Sequence, residues 1–571
     1  MRILIVYILA LLHGVLYAQG DTLKYPQNYF NAPLDIPIAL AGNYGEPRSG
    51  HFHAGLDIQT NQKEGLPVYA AADGYVSRMY VSSVGYGNAL FITHPNGYVT
   101  VYGHLKEFSP ALMKRLRKGQ YAKKSFSVDL QIAKGEFPVK QGDKMAFSGS
   151  TGSSGGPHLH FEIRDAAENP LNPMLFGFKI ADATPPVVSY LKFYPMDSLK
   201  YRCDGYRCKL TGKAGRFEVP GGIVKLNSPS VGVSVNTYDL MDKVENRLGI
   251  YSLKLYDNDK LIYECNFDRM SFKEGRYVLS QLDYPVFLME DEQMFHKCFV
   301  EPGNKCPVYS NLVNSGIIDL SNGAAHSIKL EVADFSGNVS SINCNVQYDA
   351  KSNLFKAKEM PYVKRFDYGK ANEFSNNDIK ISIPADCLFD TVYFNYSAAL
   401  STSADVFSKE HLLSNPLTGF FDWYKMSIRA EKLNPNYKDK AIIVFRDEKG
   451  NEFSRGGNYQ DGFVSTRARE FGLCYIKIDT IPPHIAPVNI TAGKNMSKYK
   501  TIQFKITDNL SGIGAFNTYL DDNWVVTDYD AKSSTLNYHI DKDLKPGEHH
   551  FKVVVADERS NTSEYNVMFK M

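Results

Sequence analysis

Cysteine is missing from the first 202 residues; all eight cysteines lie at or after Cys203. A metal site in that N-terminal stretch therefore has no thiolate and must use imidazole or carboxylate. Tryptophan is nearly absent, with two residues against 37 Tyr and 34 Phe, an aromatic usage that suits β-rich domains. A dominant charge sign is also lacking: 64 Lys and Arg against 62 Asp and Glu leave a net charge of +2, which argues against a nucleic-acid partner. Long hydrophobic runs are confined to the start. Met1-Arg2, the apolar stretch Ile3–Leu12 and a small residue at Ala18 read as a secretory signal peptide over residues 1–18, with a mature chain expected near Gln19. That run is too short to span a bilayer, no cysteine follows it to carry a lipid, and no later segment is apolar enough to cross. The expectation is an exported chain, periplasmic or at the cell surface or beyond, without a transmembrane anchor.

At 571 residues the chain is long enough for several domains. Asp182-Ala-Thr-Pro185-Pro186 and Asp479-Thr-Ile-Pro482-Pro483 look like two copies of one linker, since proline fixes φ and removes a donor. Alternating apolar stretches end repeatedly in Asp-containing turns. Ile328–Val332 precedes Asp334-Phe-Ser-Gly337-Asn338, Ile443–Phe445 precedes Asp447 to Asn451, and Phe551–Val553 precedes Asp557 to Asn561. This punctuation indicates antiparallel sandwich strands, and these segments resemble immunoglobulin-like domains of bacterial surface proteins. The expected fold class is mostly β: an antiparallel β domain with an open cleft over residues 19–182, a β-sandwich over 183–356, a β-rich domain over 357–480 and an immunoglobulin-like sandwich over 481–571. Cys203 and Cys208, and Cys298 and Cys306, are near enough in sequence for local disulfide loops. Cys265, Cys344, Cys387 and Cys474 either pair or sit buried as small apolar groups, and connectivity does not follow from the sequence.

The most informative stretch is Ser148-Gly-Ser-Thr-Gly-Ser-Ser-Gly-Gly-Pro-His158-Leu-His160-Phe-Glu162-Ile163. A Gly-rich turn runs into an alternating strand. Leu159, Phe161 and Ile163 share its apolar face, and His158, His160 and Glu162 the other. A second fragment, His53-Ala-Gly-Leu-Asp57, places a histidine and a carboxylate four residues apart, again expected on one face. Two histidines and an aspartate are the three protein ligands that a catalytic zinc takes. Asn96-Gly97 predicts a two-residue hairpin joining Asn88–His94 to Tyr98–Leu105. On the return strand Tyr98, Thr100, Tyr102 and His104 are expected to share a face looking into the same groove.

In these residues the chain resembles the LytM/lysostaphin-type zinc endopeptidases, the M23 peptidase family, which cut peptides of bacterial cell-wall peptidoglycan. The resemblance covers roughly residues 40–170. Its pieces stand in the family's order: His53-x-x-x-Asp57, Gly65-Leu-Pro-Val-Tyr-Ala-Ala-Ala-Asp-Gly74, Tyr102-Gly-His104-Leu105, and Gly149-Ser-Thr-Gly152 leading into His158-Leu-His160. It implies that His53, Asp57 and His160 bind one zinc ion (Zn2+) per chain, and that His104 and His158 flank the catalytic water. It also implies a secreted endopeptidase with peptidoglycan peptides as substrate, and leaves a partner protein of the envelope open to the C-terminal β domains. Two other readings stay open: a zinc protease of the same fold acting on extracellular proteins, and a catalytically inert wall-binding regulator. All five positions are filled, which favours an active enzyme.

One departure is an insertion over residues 106–139, where the family has a short connection. It opens with a helix signal, Ser109 as N-cap and Pro110 at the first position, and carries Lys114, Arg115, Arg117, Lys118, Lys123 and Lys124. It reads as a solvated helix face or as a groove wall touching an anionic polymer. Among neighbouring residues, His51 competes with His53 on spacing alone, and the family's His-x-Gly-x-Asp pattern selects His53. His94 reads as structural. Glu162 either orients a ligand or pairs with Arg164. Asn43 and Arg48 precede the first ligand and are placed along the cleft. The histidines from His296 onward show no ligand spacing, so no further metal constellation is expected after residue 183.

Overall fold

The computed structural model describes residues 25–242, 244–290 and 293–571; the expected signal peptide lies outside the described residues. The fold is mostly β, built from antiparallel sheets, with one long insertion helix.

In the N-terminal part a nine-stranded sheet runs in the order Leu40–Gly42, Leu56–Gln59, His158–Arg164, Val99–Leu105, Asn88–Thr93, Gly74–Val81 and Val128–Gln131, with two short strands off this path. The order matters for the site. His160 is in register with Asp57 on one side and with Gly103 on the other, so three adjacent strands carry the candidate groups side by side. Alternation on His158–Arg164 buries Leu159, Phe161 and Ile163 completely in the core. Gly55 is required by a close approach: a Cβ there would stand 2.4 Å from the Phe161 carbonyl oxygen.

Two local expectations fail for physical reasons. The hairpin after Asn88–Thr93 has a three-residue loop rather than a two-residue one. Pro95 and Asn96 form the turn, the Gly97 amide reaches His94 O, Gly97 has φ +87°, and the His94 amide bonds Tyr98 O. Proline at the first central position favours this type I turn followed by a left-handed residue. The face of Tyr98, Thr100, Tyr102 and His104 does not look into the groove either. Thr100 and Tyr102 are fully buried, and Tyr102 Oη accepts the Ala71 amide. His104 leaves that face because its backbone is left-handed, φ +57°.

The helix Pro110–Lys123 forms as its start signal predicts, though Ser109 makes no side-chain cap bond. Its Leu112 and Leu116 enter the core. Its basic residues are partly paired: Arg115 with Glu136 at 2.8 Å and Arg117 with Asp528 at 3.2 Å.

Downstream, sheets of six and seven strands lie within residues 187–348, two five-stranded sheets within 372–478 and two four-stranded sheets within 484–570. In the last of these, Phe504 and Phe551 stack from opposite sheets at 5.8 Å, and both sheets feed one apolar core, which makes a sandwich. One pairing departs from antiparallel: Arg216–Leu226 runs parallel to Val339–Tyr348. All eight cysteines are free thiols, six of them buried, so they serve as small apolar groups.

The first downstream core reaches across the chain. Tyr44 and Phe52, from the N-terminal part, pack in one cluster with Phe267, Met270 and Tyr277, with Phe52 5.2 Å from Phe267. The C-terminal sandwich also touches the N-terminal part. Tyr121 meets Trp524 edge-on at 5.5 Å, and Lys532 bonds Ser150 O and, at 3.2 Å, Ser154 O. No helix among the described residues is long and apolar enough to cross a membrane.

Candidate active site

The strands deliver three ligand-type atoms to one point. His53 Nε2 lies 3.1 Å from Asp57 Oδ1 and 3.1 Å from His160 Nδ1, and His160 Nδ1 lies 2.9 Å from Asp57 Oδ1. All three residues are buried, between 5 and 6% exposed. His53 does not share a strand face with Asp57: it sits in the loop after the short strand His51–Phe52, and the chain turns at Gly55 before Asp57 enters its own strand. His51, two residues earlier, is exposed and outside the cluster.

Backbone carbonyls set the imidazole tautomers, because a carbonyl only accepts. Nδ1 of His53 faces Asn43 O at 2.8 Å, Nδ1 of His104 faces Thr151 O at 2.9 Å, and Nδ1 of His158 faces Gly156 O at 2.9 Å. Each Nδ1 thus donates, which leaves Nε2 as the nitrogen turned toward the cluster. His160 is the reverse. Its Nε2 donates to Glu162 Oε1 at 2.8 Å, which turns Nδ1 toward Asp57. Glu162 is fully buried and is held by Arg164 Nε at 2.6 Å and the Tyr86 hydroxyl at 2.5 Å. Glu162 therefore does both things weighed for it: it orients His160 and pairs with Arg164.

The donor set fits a metal cation. The lone pairs of His53 and His160 and a carboxylate oxygen converge, and such acceptors repel unless positive charge sits between them. Nε2 of His158 is buried 3.4 Å from Asp57 Oδ1 without a hydrogen-bond partner, a further lone pair aimed at the same point. The field is strongly cation-seeking. Burial opposes charge on His160, yet hydrogen bonding to the Asp57 and Glu162 carboxylates raises its pKa to about 9. Burial likewise opposes the charge on Asp57, but the surrounding histidines hold its pKa well below the usual carboxylate range. Arg48 takes Asp57 Oδ2 at 3.0 Å and pairs with Glu46 at 2.7 Å, which leaves Oδ1 for the cluster.

His104 completes the arrangement. Its ring stands 4.7 Å from His158 and 5.8 Å from His160, and burial, then the two neighbouring imidazoles, push its pKa down to about 3. It is a neutral base with a free Nε2. His94 is elsewhere, bonded to Asp73 O and Thr100 Oγ1 in the sheet's far core, a structural role.

These groups line a cavity of about 550 Å³. Arg48, Tyr86 and Ser154 lie along it, and Asn43 holds His53 from behind. Two contributions were not legible beforehand. Tyr86 packs 5.4 Å from His160, and its only sequence signal is the glycine pair Gly85 and Gly87 around it. Met270, Ser271, Phe272 and Gly275, from beyond residue 183, form one wall, so downstream residues take part in the cleft.

Residues 51–128 match Peptidase family M23, and the chain carries a domain of that family, as the motif resemblance indicated. The matched stretch holds His53, Asp57 and His104. Residues 363–479 match a Zu5-like domain. The DD-carboxypeptidase/endopeptidase Mpg of Neisseria meningitidis is 38% identical over 133 residues, 23% of this chain and 24% of that protein. The peptidoglycan DD-endopeptidase ShyA of Vibrio cholerae is 30% identical over 173 residues, 29% of this chain and 33% of that protein. The chain thus spans a quarter to a third of the length of these relatives. The catalytic domain of lysostaphin from Staphylococcus simulans aligns at 26% identity over 24% of this chain and 88% of its own, with a TM-score of 0.18.

Proposed function

We propose that the chain is an exported zinc-dependent endopeptidase that hydrolyses peptide bonds of bacterial peptidoglycan. The observation that carries the reading is the convergence of His53 Nε2, Asp57 Oδ1 and His160 Nδ1, with the Nε2 atoms of His104 and His158 beside them in one cleft. In this reading His53, Asp57 and His160 hold one zinc. Zinc in such a site supplies Lewis acidity toward a peptide carbonyl and acidifies water.

The chain's own residues supply the rest. His104 and His158, held by carbonyls through Nδ1, present their Nε2 atoms to the cleft. One removes the proton from the attacking water, and the other, once protonated, donates to the oxyanion or the leaving amine. Glu162 fixes the His160 tautomer. The N-terminal apolar run and the M23 relatives that act on peptidoglycan support export to the wall.

Digestion of purified sacculi, run beside casein and with and without a zinc chelator, tests this. Release of muropeptides that stops with the chelator is the expected result. Casein cleavage with intact sacculi would instead make it a protease of extracellular proteins. No cleavage of either by a zinc-loaded chain would leave the inert wall-binding reading.

A further inference from the structure

A second, nitrogen-free cluster lies where the N-terminal part joins the first sandwich. Asp182 belongs to the Asp-x-x-Pro-Pro linker, Asp239 is the last residue but one of the strand Ser230–Leu240, and Asp334 follows the strand His326–Ala333. Their carboxylate oxygens lie within 4.8 Å of one another. Asp334 is engaged by its own turn, accepting the Asn338 amide at 2.9 Å and Asn338 Nδ2 at 2.7 Å. Asp182 accepts the Thr184 amide at 3.0 Å. Asp239 is different. It is 4% exposed, and its Oδ1 is buried with no hydrogen-bond partner. Burying a carboxylate oxygen without a donor is costly, and two more carboxylates nearby add repulsion. Among the described residues no lysine, arginine or histidine pairs with any of the three. Histidine spacing gave no warning of this site, since it contains none.

We propose that Asp182, Asp239 and Asp334 form a divalent-cation site of the calcium type. An all-oxygen donor set with three carboxylates suits a hard cation, and calcium tolerates the irregular geometry that a linker and two strand ends provide. The chain repeats the design. Asp479 of the second Asp-x-x-Pro-Pro linker lies with Asp508 and Asp557 in a second cluster. In each copy the asparagine four residues beyond the strand-end aspartate donates to the linker carbonyl: Asn338 to Asp182 O and Asn561 to Asp479 O.

The first site would tie the linker to the sandwich beside the short strand Arg247–Leu248, which pairs with Asp239 and Leu240. Leu248 packs in the N-terminal core, and Gly249 exchanges two 2.7 Å bonds with the Asn43 side chain. The Asn43 carbonyl in turn holds His53 Nδ1. Burial and the neighbouring Asp334 and Asp182 charges raise the Asp239 pKa to about 7, the direction expected of a carboxylate lacking its counter-charge.

The test uses the full chain in zinc-containing buffer, titrated with calcium alone by calorimetry and thermal melting. Binding in the range of about 10⁻⁴–10⁻³ M with a melting temperature raised by several degrees is expected, and Asp239→Asn should bind one calcium fewer than the parent, with a smaller melting shift. If that variant does not fold, Asp182→Asn on the half-buried linker replaces it. No binding up to about 10 mM calcium overturns the proposal. So does a calcium stoichiometry in Asp239→Asn that equals the parent's. Magnesium serves as the comparison, and calcium binding more tightly than magnesium is the expected order; the reverse order overturns the calcium assignment.

Discussion

Glu162 accepts the Nε2 proton of His160 at 2.8 Å, and the two residues alternate on one strand, so the strand itself decides which nitrogen of His160 faces Asp57. Replacing Glu162 with Gln removes the charge and the obligate acceptor. Zinc affinity should fall about 10–100-fold, read by competition with a chelator. Glu162→Ala should also destabilise the chain, by no more than about 3–5 kcal/mol, because buried Arg164 loses its buried partner and keeps only the 3.1 Å pair with the exposed Glu168 carboxylate. Unchanged zinc affinity in Glu162→Gln would remove Glu162 from the site.

His104→Ala and His158→Ala should each keep zinc near one per chain. Turnover on wall peptides should drop by about 10²–10⁴. Metal analysis alongside initial rates checks this. Loss of zinc in either variant reassigns that histidine as a ligand.

His296 gives a pH dependence independent of the cleft. It is fully buried, neither ring nitrogen has a partner, and burial alone pushes its pKa down to about 3. The unfolded chain binds a proton near pH 6.5 and the folded chain does not. Stability is therefore complete above pH 6.5 and is lost as pH falls toward 3, by about 1.4 kcal/mol per pH unit. Melting curves of His296→Leu should fall less steeply over that window than those of the parent; parallel curves would show that His296 is not the group responsible.

Phe267 is fully buried against Phe52, so Phe267→Ala should cost about 3–5 kcal/mol. A chain ending at residue 182 loses that partner and the Met270–Gly275 wall. It should melt lower than the N-terminal part does within the full chain, and cleave wall peptides more slowly. An equally stable and equally active fragment would show that the shared core does not support the cleft.

Lys532 reaches Ser150 O and Ser154 O from the far end of the chain. Lys532→Ala should speed amide hydrogen exchange in residues 150–156 while leaving the His158–Arg164 strand protected. Exchange identical to the parent would mean that the C-terminal sandwich does not restrain this loop.

The sequence by itself determined what local rules encode. Alternation placed Leu159, Phe161 and Ile163 inside and brought His160 and Glu162 to one face, because strand side chains alternate whatever surrounds them. Proline and serine announced the insertion helix, and the ordered motifs announced an M23 domain. Tertiary structure alone decided what depends on contacts between distant segments. His53 meets Asp57 by a turn at Gly55, not along a strand. His104 meets His158 by a left-handed backbone that breaks the alternation burying Tyr102. Tyr86, the Met270–Gly275 wall, Lys532 and the Asp182–Asp239–Asp334 cluster bring together segments 57 to 382 residues apart. No local spacing carries such pairings; they exist only because buried apolar faces such as those of Phe52 and Phe267 hold the segments together.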